Sequence, residues 1–304
     1  MSEPDFPIVS RTIVEPDVLR SFEDEDDFIA LGVSLLAESA SYIVICAGIS
    51  EDGRGLSRNQ AIISGLMVRL YKLVSGVLDQ VCQRRLEIAF ILCRLCYEAV
   101  VDVRYLIANV TDELADDYVK TSFRYERMLR DEIVSRSSSR GGELLPVEQR
   151  MLKSIQHSAI EAGINLDDVS TKMRKWGGKS TKDKAQTVYG NDLSYIGMFS
   201  GMSKAVHGNW GDLAQFHLTA LSDGRFAPNT EWGYPRPQVL TSLCVLALGA
   251  VRDCFQFWSP ELMAHYDAAI EDLDARVRTL AAAHEDYLCQ FAWPRIRPGT
   301  GPVR

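Results

Sequence analysis

The sequence predicts an all-α protein, a bundle of seven to eight helices packed around one apolar central helix. Three observations predict it. Apolar residues recur at helical spacing through most of the 304 residues. No alternation of apolar and polar residues lasts long enough to build a sheet. The punctuation between periodic stretches is that of helix ends, with Ser or Thr before them and Gly after. The expected organisation is a disordered arm over residues 1–22, a single helical domain over 23–292 and a disordered basic tail over 293–304.

The elements follow in order. Residues 1–22 mix proline and polar groups without a clear period. The acidic run from Glu23 to Asp27 then precedes Phe28, Leu31 and Leu35 and suits the positive end of a helix that runs to about Ala47. Gly48, Gly53 and Gly55 form a loop. Ser57 caps a second helix carrying Ile62, Leu66, Leu70 and Leu73. The apolar third helix lies near 84–109. Thr111 caps a fourth, through Leu114, Tyr118, Phe123 and Met128 to about Val134, and the Ser-rich, Gly-rich segment from Ser135 to Gly142 reads as a linker. A shorter helix is expected near 147–162, a polar, lysine-rich stretch over 164–190, and a helix near 192–207 closed by Gly208. Residues 217–237 turn to Gly, Pro, Asn and aromatics, an irregular loop with a short hairpin at Asp223-Gly224. Two helices end the chain, one near 238–257 and a long one from Ser259-Pro260 to about Phe291.

Composition bounds what such a bundle does. Apolar residues make up 46% and charged residues 24%, ordinary for a chain that buries a core. A formal net charge of -8 argues against nucleic acid or an anionic membrane as the main partner. The seven cysteines, Cys46, Cys82, Cys93, Cys96, Cys244, Cys254 and Cys289, are odd in number and lie mostly among apolar neighbours. That is the pattern of reduced thiols in a cytoplasm. The N-terminal residues show neither a basic start nor an apolar run, so no secretory signal is expected. The stretch from Leu86 to Val110 is apolar enough to suggest a membrane span, yet it carries Glu87, Arg94, Glu98, Asp102 and Arg104. Each central charge costs roughly 2.5–3.5 kcal/mol in lipid, so burial by other helices is expected, with no membrane partner.

Those charges are the first candidate site. Arg94 and Glu98 lie four apart and share a helical face, with Glu87 and Tyr105 near the same stripe. Two explanations stay open. The pair is a structural ion pair fixing how helices cross, or it is a site in which Arg94 holds an anion and Glu98 serves as acid or base. The second candidate is the helix from Tyr195 to Trp210. Ser200, Ser203 and His207 fall on one stripe there, so Ser203 and His207 form a nucleophile and base or a satisfied core histidine. Should these two helices pack together, Arg94, Glu98, Ser203 and His207 converge as a functional centre.

The stretch R-L-C-Y-E from Arg94 to Glu98 and the pattern Y-x4-S-x2-S-x3-H-G from Tyr195 to Gly208 resemble a bacterial helical family, the domain-of-unknown-function family numbered 5677. The resemblance covers roughly residues 60–255. It implies an all-α fold and a bacterial cytoplasmic setting, directs attention to Arg94, Glu98 and His207, and brings no activity with it. His207-Gly208 is also similar to the end of the Arg-to-His motif of helical HEPN-type ribonucleases. The positions where that motif's Arg belongs hold Ser200, Gly201 and Met202.

Other motifs are set aside. Gly177-Gly178-Lys179-Ser180 lacks the first glycine and the strand of a phosphate-binding loop. Cys93-x2-Cys96 lies within a helix without a second ligand pair, so no metal is expected, and no cofactor motif is present. The basic run over 172–184, with Trp176 inside it, reads as a solvated loop and is the one place where nucleic acid could be held. The expected function is therefore an interaction or sensing module with an unidentified protein partner, a structural Arg94/Glu98 pair and a homodimer surface on the C-terminal helix. The alternative is a degenerate HEPN-like ribonuclease or other hydrolase in cell defence, with His207 as base and Arg94 binding an anion.

Overall fold

A computed structural model describes residues 7–48 and 55–291. Within them the chain is helical almost throughout. In order come α1 (Pro16–Arg20), α2 (Glu25–Ala47), α3 (Arg58–Cys82), α4 (Leu86–Ala108), α5 (Asp112–Ser122), α6 (Arg124–Ser139) and α7 (Pro146–Glu161). They are followed by α8 (Thr181–Tyr189), α9 (Gly201–His207), α10 (Trp210–Asp212), α11 (Pro237–Trp258) and α12 (Pro260–Leu288). The described residues thus hold more helices than the seven or eight expected, because short helices occupy stretches read as loops.

The capping signals place the helix starts. Asp24 accepts the amides of Asp26 and Asp27 ahead of α2. Ser57 and Gln60 form a reciprocal capping box at α3. Thr111 accepts from Leu114, and Ser259 from Leu262. Gly208 ends α9 at φ 55°, the left-handed conformation that glycine adopts without strain.

The centre is α4, packed against α3, α8, α9 and α11, while α2 packs on α3, α11 and α12. Cys93, Cys96, Tyr97, Val100, Val101 and Val103 of α4 are fully enclosed, as are Leu240, Leu243, Leu248, Val251 and Phe255 of α11. Each such aliphatic or aromatic side chain contributes about 1.5–3 kcal/mol by leaving water. Gly32 lets α2 and α11 meet closely, since a Cβ there would lie 3.0 Å from Leu240 Cδ1. By length and composition α2, α3 and α11 are apolar enough to cross a membrane; here α2 packs against both of the others.

Several expectations need correction. Residues 7–22, read as a disordered arm, include α1 and are strapped to the bundle. Tyr266 donates to the Pro7 carbonyl at 2.9 Å, Arg11 pairs with Asp272 at 2.9 Å and the Thr12 amide donates to Glu38 at 2.7 Å. Residues 1–6, the expected tail and most of the Gly48–Gly55 loop lie outside the described residues. The expected fourth helix is broken at Phe123 into α5 and α6. The linker expected from Ser135 is instead the end of α6, and only Gly141 and Gly142, both at positive φ, make the turn. Beyond it α7 packs Ile155 and Ala159 with Leu166 and Val169 in a small separate cluster. The polar stretch over 164–190 contains α8. The helix expected near 192–207 begins with a wide π turn, Tyr195–Ser200, before α9. The hairpin at Asp223-Gly224 is present: β1 (Leu218–Ala220) pairs antiparallel with β2 (Phe226–Pro228), Thr219 opposite Ala227.

Candidate functional site

The four sequence-predicted site residues do not meet as one hydrogen-bonded centre. Arg94 Nη2 stands 3.5 Å from Glu98 Oε1, the edge of a hydrogen bond, with side chains 15% and 31% exposed. The Arg94 guanidinium instead lies 4.5 Å over the Phe199 ring, which ties the π turn to α4. Ser203 donates back to the Phe199 carbonyl at 2.6 Å and not to His207. His207 is exposed at the end of α9. Among the described residues no hydrogen bond or ion pair joins it to Ser203, Arg94 or Glu98.

Glu98 faces a different neighbourhood. One turn further along α4, Asp102 extends the same stripe, and both carboxylates line a cavity of about 420 Å³. Its walls come from Arg69 of α3, from α4, from Tyr118 of α5, from the segment over 174–180 and from Thr181 and Lys184 of α8. The buried element is Lys184, only 4% exposed. Its ammonium lies 3.1 Å from Asp102 Oδ1 and 3.1 Å from the centre of the Trp176 ring. Trp176 is itself held edge-on by Tyr105 and Tyr118, at 5.6 and 5.2 Å between ring centres. A lysine read as part of a solvated run is thus enclosed by an aromatic wall and a carboxylate.

Burial sets the electrostatics. It pushes the Asp102 carboxyl above its ordinary range, against the opposing pull of Lys184 and Arg69. Burial likewise raises Glu98, with Arg94 opposing. It lowers Lys184, with Asp102 opposing. Both sides of the pair show the same physics, charges held in a poorly solvated place by each other.

The mouth of the cavity is basic. Arg69, Arg174, Lys175 and Lys179 all line it and are exposed. None has a carboxylate within ion-pair distance among the described residues. Most other arginines here do, as Arg58 with Asp116 and Arg104 with Asp253. The backbone of the 176–179 loop is already engaged: the Gly177 amide donates to Asp117, and those of Gly178 and Lys179 to the carbonyls of Lys175 and Trp176. Ser180 and Asp183 cap α8 reciprocally. Recognition therefore falls to side chains, not to a backbone phosphate cradle. Among the described residues no group of three His, Cys, Asp or Glu could hold a metal ion.

Gly177 fixes the loop. Its φ of 61° is left-handed, and a Cβ would stand 2.9 Å from Leu114 Cδ1. Gly177→Ala is expected to cost about 1–2 kcal/mol and to loosen Trp176 from Tyr105 and Tyr118. Urea unfolding reads the first effect and near-ultraviolet circular dichroism the second. An unchanged spectrum and midpoint would count against this account of the loop.

Sequence reasoning missed Asp102, Trp176 and Lys184 as a unit. Two signals pointed there: the 94–98–102 spacing, and the Ser180-x2-Asp183 box that starts a helix and so takes Lys184 out of a loop.

Comparison with known proteins adds one finding. The family described as "Family of unknown function (DUF5677)" matches residues 60–225, a shorter span than the 60–255 expected, and every residue lining the cavity falls within it. No significant match was found among curated proteins or solved structures. The match runs from α3 to the hairpin turn and covers more than half of the 304 residues, so this helical chain belongs to that family of unknown function.

Proposed function

We propose that the chain is a sensing or interaction module of the cytoplasm whose recognition site is the cleft between α3, α4, α5 and α8, and whose ligand is an anion. The observation that carries this is the set of four exposed cations lining one cavity, none with a carboxylate within ion-pair distance among the described residues. They stand in a protein whose formal net charge is -8. Keeping like charges together costs free energy, and an incoming anion relieves it. In this reading Arg94 has the structural part, bridging α4 to Phe199, while Glu98 lines the cleft. The hydrolase alternative draws no support from His207, whose ring is exposed and lacks a hydrogen bond to Ser203.

The test is thermal unfolding against sulfate, inorganic phosphate and citrate, beside chloride at equal ionic strength. Wild type is expected to be stabilised, by about 2.7 kcal/mol at a concentration a hundredfold above Kd. The Arg174→Ala/Lys179→Ala variant is expected to lose most of that gain. Equal shifts in both proteins, or none in wild type, would overturn the site.

A further inference from the structure

The cleft is polarised, and its polarity restricts the ligand. The exposed cations Arg69, Arg174, Lys175 and Lys179 stand at the mouth. The carboxylates of Glu98 and Asp102 are only half-buried, at 31% and 24% exposed, and Asp102 pairs with the buried Lys184. A simple anion brought beside them would meet two carboxylates. A neutral hydroxylated body there would find acceptors for its hydrogen bonds. Asp102 is already engaged by Lys184, so Glu98, whose bond to Arg94 is long, is the more available acceptor.

Size and charge layout narrow the class further. Ligand pockets run from about 300 to 1,000 Å³, and at about 420 Å³ this one suits a small phosphorylated compound. A nucleic-acid track would need an extended basic stripe. The rest of the 172–184 segment adds only one exposed lysine without an ion pair among the described residues, Lys172. Lys182 is paired with Asp192 at 2.9 Å, and Lys184 is enclosed. Lys175 and Lys179 also lie near Asp183, but that carboxylate is occupied by the amide and hydroxyl of Ser180.

We propose that the cleft binds a small phosphorylated sugar compound, a sugar phosphate or a nucleoside monophosphate. Its phosphate is held by Arg69, Arg174 and Lys179 at the mouth, and its hydroxyl groups donate to the half-buried Glu98. This rests on the cleft being the ligand site, as proposed above, and adds which chemistry it selects.

Calorimetric titration of the full chain tests it with ribose 5-phosphate, AMP, inorganic phosphate, ribose and a short single-stranded RNA. Ribose 5-phosphate or AMP is expected to bind at least tenfold more tightly than inorganic phosphate, with ribose alone weakest. Glu98→Gln is expected to shrink that margin several-fold without weakening the binding of inorganic phosphate. AMP and ribose 5-phosphate binding alike would place selection on the sugar phosphate; AMP binding tighter would add the base, and either supports the proposal. Inorganic phosphate binding as well as both would overturn the sugar contact while the anion site stands, provided Arg174→Ala/Lys179→Ala still abolishes binding. RNA binding more tightly than every small ligand would overturn the proposal in favour of a nucleic-acid surface. No binding by any anion would overturn both readings together.

Discussion

Replacing Arg276 by alanine is expected to lower folding stability by about 3–5 kcal/mol, the largest single loss anticipated in this protein. The side chains of Arg276 and Glu38 are 7% and 3% exposed. The guanidinium donates to both carboxylate oxygens, at 2.7 and 2.8 Å, and to the Thr12 carbonyl at 2.8 Å. Its Nε reaches Asp272 at 2.8 Å. Truncation leaves Glu38 enclosed with the Thr12 amide alone, and desolvating an uncompensated charge is more costly than losing the pair's attraction. The N-terminal strap loses its anchor in the same step, so protease cleavage near Thr12 is expected to accelerate. Urea unfolding at neutral pH measures the loss. The double variant Glu38→Leu/Arg276→Met is expected to recover most of it, because neither charge is then stranded. A loss below about 1 kcal/mol for the single variant would show that solvent reaches Glu38 more freely than its packing implies.

Lys184→Met is expected to be the second largest, about 2–4 kcal/mol near neutral pH, and its size is expected to depend on pH. Methionine keeps the volume and an apolar contact with Trp176 while removing the charge. Asp102, raised by burial even with Lys184 beside it, then loses its main opposing partner and rises further. The sign follows from proton counting. Between the ordinary carboxylate value and the raised folded value, the folded protein binds more protons than the unfolded chain, so stability falls as pH rises through that window. Below it the carboxyl is neutral in both states and the penalty vanishes. The deficit relative to wild type is thus expected to be small near pH 4 and full above neutrality. Unfolding curves at pH 4, 5.5 and 7.5 check this, and a deficit that does not change with pH would sink the assignment of Asp102 as the stranded partner.

Much of the architecture was legible because its causes are local. The apolar surround of α4 and the caps at Ser57, Thr111 and Ser259 are written within a few residues of where they act. The break at Phe123 was not. Its φ of -87° and ψ of 9° lie in the bridge region just outside the helical one, and no Gly or Pro announces it. The strap over residues 7–12 was read as loose because its partners, Tyr266, Asp272 and Arg276, lie about 260 positions away. At the site, spacing placed Arg94 and Glu98 on one face correctly. It also placed Ser203 beside His207, and there the chain favoured a local bond to the Phe199 carbonyl below the π turn. Lys184 was hidden by its lysine neighbours. Its burial depends on Trp176, which is positioned by the Gly177 bond to Asp117, 60 residues earlier.

The pairing of α2 with the last helix bears on how the protein is made. Glu38 and Arg276 are separated by 238 positions. At about 5–20 residues per second, roughly 12–48 s pass between their emergence from the ribosome. Throughout that interval α2 has left the tunnel while α11 and α12, which cover it, are still being translated. Assembly of this seam therefore waits until α12 has emerged, and a nascent chain halted before α12 displays an unfinished surface that chaperones and proteases can tell from the folded molecule.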